Sequence, residues 1–248
     1  MAASVHCQPA YVLHSRPYKE SSALVSLLTL DYGRIDGVAR GVRQKKSRNR
    51  ALLQPLQPLQ LSWRGDASLK TLFDIEPCGQ LPLLGGRSLS CVLYANELLN
   101  RLLLPQEAVP ELFREYALLI AQLQQADQLE PSLRCFEWQL LETLGYPLIF
   151  ADHKGGDLQA DQHYSYHWEF GFHPVKNGFH PAQNGFLGAQ LLALKEQDWS
   201  TPEVLKAAKK LSRIALQPLL GDKPLLSRQL FQAGISKPEN AGQRQTNL

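Results

Sequence analysis

Hydrophobic and polar positions alternate with a period of two along the first third of the chain. Leu59, Leu61 and Trp63 alternate with Gln60 and Ser62. Leu69, Thr71, Phe73 and Ile75 alternate with Lys70, Leu72, Asp74 and Glu76. Each run predicts a strand with one buried face. The polar segment Arg64 to Ser68 between them has the length of a hairpin loop. Upstream, the apolar stretches 10–14 and 23–30 predict two more strands, with a turn at Asp31 to Arg34, and 35–40 continues the pattern. About five short strands within about 75 residues predict a small closed barrel, OB-like or SH3-like.

The pattern breaks at Pro77 to Gly86, rich in proline and glycine, which reads as a domain junction. Helical spacing follows. Leu89, Val92, Leu93, Asn96, Leu99, Leu102 and Leu103 form one face. Leu112, Tyr116, Leu119, Ile120 and Leu123 form a second, and Leu133, Phe136, Leu140, Leu141 and Leu144 a third. Gly145 sits where a glycine ends a helix, with Pro147 just beyond. From about Phe150 to Asn184 the periodicity lapses, apart from one short strand expected around Tyr164, Tyr166 and Trp168. Helices resume at Gly188 to Lys195 and after Thr201, where Thr-Pro-Glu makes a good helix start. The reading is α+β with two domains: a barrel over 1–80 and a helical domain over 81–235. The latter carries a small β insertion at about 150–184, and a tail over 236–248 is expected to be disordered.

Charge changes this picture at one place. Net charge is only +3 over 248 residues. Yet Arg34, Arg40, Arg43, Lys45, Lys46, Arg48 and Arg50 fall within 17 residues with Asp36 as the sole acid, leaving −3 for the other 231. A single-signed loop on a barrel suits a phosphate backbone, because each contact releases counterions without reading bases. A solvated polar loop is the plainer alternative. Gly37 and Gly41 would let a ligand approach the backbone, or serve plain turns. Tyr18, Tyr32 and Trp63 are candidates for base stacking or for the core. A second stripe runs along the last helix. Lys206, Lys209, Lys210 and Arg213 lie opposite the apolar face of Val204, Ala208, Leu211 and Ala215, and Arg228 is near enough in sequence to add to it. Such a stripe is either solvated or a dock for an acidic partner.

Other chemistries find little support. Cys7, Cys78, Cys91 and Cys135 are widely spaced, with no CxxC pair, so free thiols are expected. Neither a GxxxxGK[ST] loop nor a GxSxG elbow occurs. Asp152, His153, Asp157, Asp161, His163, His167 and His173 invite a metal-dependent nuclease reading, but their spacing matches no familiar ligand pattern. No metal or cofactor is expected. No signal peptide and no membrane span are expected, which places the chain in the cytoplasm.

Three blocks carry a family resemblance that covers nearly all of the chain. VLHSRPYKESS (Val12 to Ser22), followed by Thr29, Gly33 and the Ala39-Arg40-Gly41 triplet, resembles the opening of the RecO family of bacterial recombination mediators. FEWQLLETLGY (Phe136 to Tyr146) resembles that family's middle helix, and AKKLSRIALQPLLGDKPLLSR (Ala208 to Arg228) its last block. The resemblance implies an N-terminal OB-fold and a C-terminal helical domain. Many members carry a zinc ribbon after the LGY motif; here residues 150–172 contain no cysteine, so a zinc-free remnant is expected. The family binds single- and double-stranded DNA and anneals complementary strands. It contacts the acidic, apolar tail of single-stranded DNA-binding protein. With RecR, and in some pathways RecF, it helps load RecA on DNA, and it works in the cytoplasm at the nucleoid. It is not known as an enzyme. An RNA-binding or translation-associated OB module is the alternative reading of the residues.

Overall fold

The structure is a computed structural model that describes residues 4–45, 47–125, 128–175 and 185–228. The expected tail over 236–248 lies outside the described residues. The fold is α+β: an N-terminal five-stranded barrel, a helical domain and a small three-stranded sheet.

Strands β1 (Ser4–Tyr18), β2 (Ser22–Thr29), β3 (Gly33–Ala39), β4 (Pro58–Arg64) and β5 (Leu69–Pro77) close in the order β1-β2-β3-β5-β4. β1 pairs with both β2 and β4, and β3 runs parallel to β5. That circuit is the OB arrangement, which decides between the two barrels the sequence left open. Val12, Val25, Leu27, Ile35, Leu59, Leu61, Trp63 and Leu72 fill the interior. Gly37 faces inward, where a Cβ would lie 2.4 Å from Leu72 Cδ2, so its role is close packing inside the barrel rather than ligand approach.

One strand departs from its expected face. The alternation predicts Leu69, Thr71, Phe73 and Ile75 inside β5. The structure instead buries Lys70 and Leu72, leaves Leu69 exposed, and returns Ile75 to the core. Asp74 takes a left-handed φ of 47°, and the β4–β5 register slips between Gln60 and Ser62. A bulged residue switches every later side chain to the other face.

A second bulge joins the two domains. The β1–β2 register slips between Val12 and His14, which leaves Leu13 as the extra residue. Its side chain packs in the helical core rather than the barrel core. Its carbonyl accepts a bond of 3.1 Å from Asn96 Nδ2, and the Tyr116 hydroxyl donates to Asn96 Oδ1. A bulge carbonyl has lost its ladder partner and must be satisfied elsewhere when buried. At the β2–β3 turn, Gly33 (φ 60°) lies where a Cβ would be 1.7 Å from the Glu107 carbonyl, so only glycine fits there.

The helical domain comprises α1 (Gly86–Leu102), α2 (Pro110–Gln122), α3 (Leu129–Thr143), α4 (Gly188–Lys195) and α5 (Pro202–Leu220). α1 packs against both the barrel and the other helices, so its buried set (Cys91, Val92, Tyr94, Ala95, Asn96, Leu98, Leu99) is wider than one amphipathic stripe. α3 ends as expected: Gly145 (φ 86°) follows the cap, Tyr146 N–H donates to Leu141 O at 2.8 Å and Gly145 N–H to Glu142 O at 2.9 Å. This is a Schellman motif. The Thr201 hydroxyl accepts from Val204 N–H at the start of α5. Strands β6 (His163–His167), β7 (Gly171–Pro174) and β8 (Gly185–Leu187) form the inserted sheet in the order β7-β6-β8, with Tyr164 and Tyr166 buried.

Candidate nucleic-acid interface and acidic-ligand pocket

The basic loop leaves β3 at Ala39 and returns at Pro58, with a 3₁₀ turn at Arg48–Arg50. Arg40, Arg43, Lys45, Arg48 and Arg50 are all exposed, and none of them pairs with a carboxylate among the described residues. Lys46 lies outside the described residues. Apolar anchors hold the loop down: Val42 and Leu53 join the barrel core, and Leu56 joins the helical one. The charges therefore stand on a fixed base.

Arg43 ties the loop to the β1–β2 turn. Its backbone N–H donates to Ser21 O at 2.9 Å, and its guanidinium donates to Lys19 O at 3.2 Å. That turn brings charge the sequence reading did not include. Lys19 is exposed with Nζ 5.4 Å from the Tyr18 ring centre, and Arg16 is exposed nearby on β1. The missed signal was a basic pair leading into a turn, which also carries the exposed Glu20, about 20 residues before the loop.

Arg34 belongs elsewhere. It starts β3 while Arg40 follows its end, so about 20 Å of strand separates them. Its guanidinium donates to Leu103 O at 3.1 Å and pairs with Asp36 at 2.9 Å, and its carbonyl accepts from Gln106 N–H at 2.8 Å. Its charge and hydrogen bonds serve the domain junction. Asp36 is further engaged by the Ser26 hydroxyl. Of the aromatic candidates, Trp63 is only 3% exposed in the barrel core, and Tyr32 meets it edge-on at 5.1 Å. Tyr18 is half-buried beside the loop.

The stripe on α5 splits in the fold. Lys210 Nζ donates to Gly185 O at 3.1 Å and sits 5.2 Å from the Phe186 ring, against the inserted sheet; burial lowers its pKa. Lys206 is exposed farther along the helix. Lys209 and Arg213 line a cleft of about 290 Å³ between α1, α3 and α5. Arg87, Glu130 and Arg228 complete its rim, and Cys91, Leu133 and Tyr94 line it with Arg134 and Glu137.

A buried polar network makes the floor, in which Arg134 Nε has no hydrogen-bond partner among the described residues. Arg134 pairs with Glu137 at 2.8 Å with both side chains buried, and the Tyr94 hydroxyl donates to Glu137 at 2.8 Å. Burial, and then the Glu137 charge, push the Tyr94 hydroxyl pKa well up, so it remains a donor. Burial also pushes the Cys91 thiol up to about 12, which makes it an apolar wall and a poor nucleophile. Arg228 is placed by a clamp the sequence did not reveal. Glu97 accepts from Leu226 N–H, Ser227 N–H and the Ser227 hydroxyl at 2.6 to 2.9 Å. Arg101 donates to the carbonyls of Leu220, Lys223 and Pro224. Together they hold the turn after α5 against α1.

The His/Asp segment shows different work. Asp152 accepts from Gly156 and Lys154 N–H, which lowers its pKa and shapes the loop. The His153 and His173 rings stack at 4.4 Å. Among the described residues no cluster of three or more His, Cys, Asp or Glu side chains is placed to hold a metal. Nor is any helix among them long and apolar enough to cross a membrane.

An OB barrel carrying a basic loop, joined to a helical domain with a basic-rimmed cleft, defines a class of two-domain α+β protein. Comparison with known proteins agrees at both halves. The family model for the N terminus of recombination protein O matches residues 1–81, and that for its C terminus matches residues 85–229. The DNA repair protein RecO of Pseudomonas aeruginosa strain PAO1 is 44% identical over 234 residues, covering 94% of this chain and 97% of that one. Those of Cellvibrio japonicus and Vibrio cholerae strain M66-2 are 41% and 40% identical, over 93% and 91% of this chain and 98% and 93% of theirs. The chain belongs to the RecO family.

Proposed function

We propose that this protein is a DNA-binding recombination mediator in DNA repair, acting at the nucleoid by binding and handover rather than by breaking bonds. The observation that carries the reading is the exposed, single-signed loop on the OB barrel. Annealing requires two phosphate backbones to approach while their bases stay free to pair. Arg40, Arg43, Lys45, Lys46, Arg48 and Arg50 supply neutralisation without base readout, on single or double strands. Arg16 and Lys19 extend the same surface.

The cleft is the seat for the acidic C-terminal tail of single-stranded DNA-binding protein. Such a tail ends in an apolar residue with a free carboxylate. Leu133, Cys91 and Tyr94 offer the apolar wall, and Lys209, Arg213, Arg87 and Arg228 the cationic rim. Lys206 steers from outside, while Lys210 is turned toward the inserted sheet. Holding the tail of a DNA-coating protein beside a DNA-binding barrel brings the mediator to coated strands. With RecR, and with RecF where that partner exists, it then helps RecA replace the coat.

Annealing of complementary fluorescent strands, alone and coated, tests the reading. The variant with Arg43, Lys45, Lys46 and Arg48 changed to Ala is expected to lose most annealing at moderate salt. Wild-type annealing by that variant would remove the loop from the mechanism. Preference for RNA over DNA in a competition titration would favour an RNA-binding module instead.

A further inference from the structure

We propose that Glu130 is a resident competitor in the cleft, occupying rim cations that an acidic ligand must otherwise take. The inference rests on reading the cleft as an acidic-peptide site. Glu130 stands in the first turn of α3 at the cleft mouth. Its carboxylate lies 2.9 Å from Arg87 of α1 and 3.8 Å from Lys209 of α5. The remaining rim cations, Arg213 and Arg228, form no ion pair with a carboxylate among the described residues. The rim is thus divided into two open cations and two that are already answered.

A ligand carboxylate that meets Arg213 or Arg228 gains a new partner. One that meets Arg87 or Lys209 must first displace Glu130, exchanging one carboxylate for another with little net gain. Glu130 also repels any anion that enters without displacing it. The expected result is weaker binding overall, with discrimination in favour of ligands whose several carboxylates span the rim. A built-in repulsive element of this kind raises specificity at a cost in affinity. Its signature is unusual in sign: removing the charge tightens binding, whereas loss of a merely structural contact weakens it.

The experiment is a polarisation titration with a short fluorescein-labelled peptide carrying three aspartates and a C-terminal phenylalanine with its free carboxylate. Wild type, Glu130→Gln, Arg213→Glu and Arg87→Ala, the last alone and combined with Glu130→Gln, are compared at low and high salt. Exposed pairs of this type predict that Glu130→Gln tightens binding about twofold to fivefold at low salt. The gain shrinks at high salt, where screening weakens the competitor and the rim alike. Arg87→Ala is expected to cost more in the Glu130→Gln background, where Arg87 is freed for the ligand. Unchanged or weaker binding by Glu130→Gln, with Arg213→Glu still damaging, overturns the competitor role and leaves the cleft reading intact. An Arg213→Glu variant that binds like wild type overturns the cleft reading itself.

Discussion

The barrel loop and the helical cleft both present basic side chains, but in opposite settings. On the loop, Arg40, Lys45, Arg48 and Arg50 stand in solvent on a segment pinned by Val42, Leu53 and Leu56. In the cleft, the rim is built over a buried Arg134–Glu137–Tyr94 network, and Arg228 is held by the Glu97 clamp. Exposed charges are interchangeable and act through the field they sum to. The rim cations Arg87, Lys209 and Arg213 are exposed as well, but three packed helices over the buried network set their spacing, so position matters there. The loop suits a uniform polyanion, and the cleft a particular peptide end.

That contrast predicts a hierarchy of mutational effects. The largest lies in the cleft floor. Glu137→Ala leaves Arg134 buried without its partner and should cost about 3–5 kcal/mol, read as a lower thermal midpoint for the helical domain. At a temperature where this variant remains folded, DNA binding by the loop should survive; joint loss would merge the two regions. Next comes the reverse pattern. Arg43, Lys45, Lys46 and Arg48 changed to Ala should lower the urea midpoint only modestly, by about 0.5 kcal/mol or less per surface site, with the largest share from the exposed Arg43 bonds to the β1–β2 turn. A large destabilisation there would mean that the loop charges are structural. Asn96→Ala, which strands the Leu13 carbonyl and the Tyr116 hydroxyl, should cost about 1–3 kcal/mol and act on both domains at once.

The smallest effect concerns pH. Burial opposes ionisation of Glu97, but hydrogen bonds from Ser227 and Leu226 outweigh it and hold the carboxyl below its usual value. A depressed carboxyl contributes stability that is present above its unfolded pKa and lost as pH falls through the folded one. Thermal melts of wild type and Glu97→Gln should therefore differ at pH 7 and begin to converge as pH falls below about 4.5. A gap that stays constant to pH 3 would exclude the clamp as an ionised carboxylate.

Much of this architecture was legible in the sequence because it follows from periodicity. The helical faces of α2, α3 and α5 and the buried positions Leu59, Leu61 and Trp63 emerged as read, though Ser62, expected on the polar face, is buried as well. The Gly145 stop and the Thr201 cap did as well, since local chemistry sets both. What escaped depends on the backbone leaving its period. The Asp74 bulge inverted the face of β5, and the Leu13 bulge handed a barrel residue to the helical core. The loop was visible as a run of like charge, but its reinforcement by Lys19 and Arg16 required the β1–β2 turn to fold beside it. Arg34 shares the run in sequence and is drawn away by the junction carbonyls. The α5 stripe looked uniform on a helical wheel. Neighbours divided it, sending Lys210 to Gly185 and Phe186 and leaving Lys209 and Arg213 to the cleft. The Glu97 clamp joins residues 130 apart, and no local pattern marks it.

If the loop holds backbone phosphates through charge, DNA affinity must depend on salt through those side chains. That dependence is tested most directly by titrating fluorescent single-stranded DNA across a range of salt with wild type and the Arg43/Lys45/Lys46/Arg48 to Ala variant. Wild type is expected to show a steep fall of log affinity with log salt. Removing four contacts should flatten that slope by about 3. A variant that keeps both the affinity and the slope of wild type would contradict it.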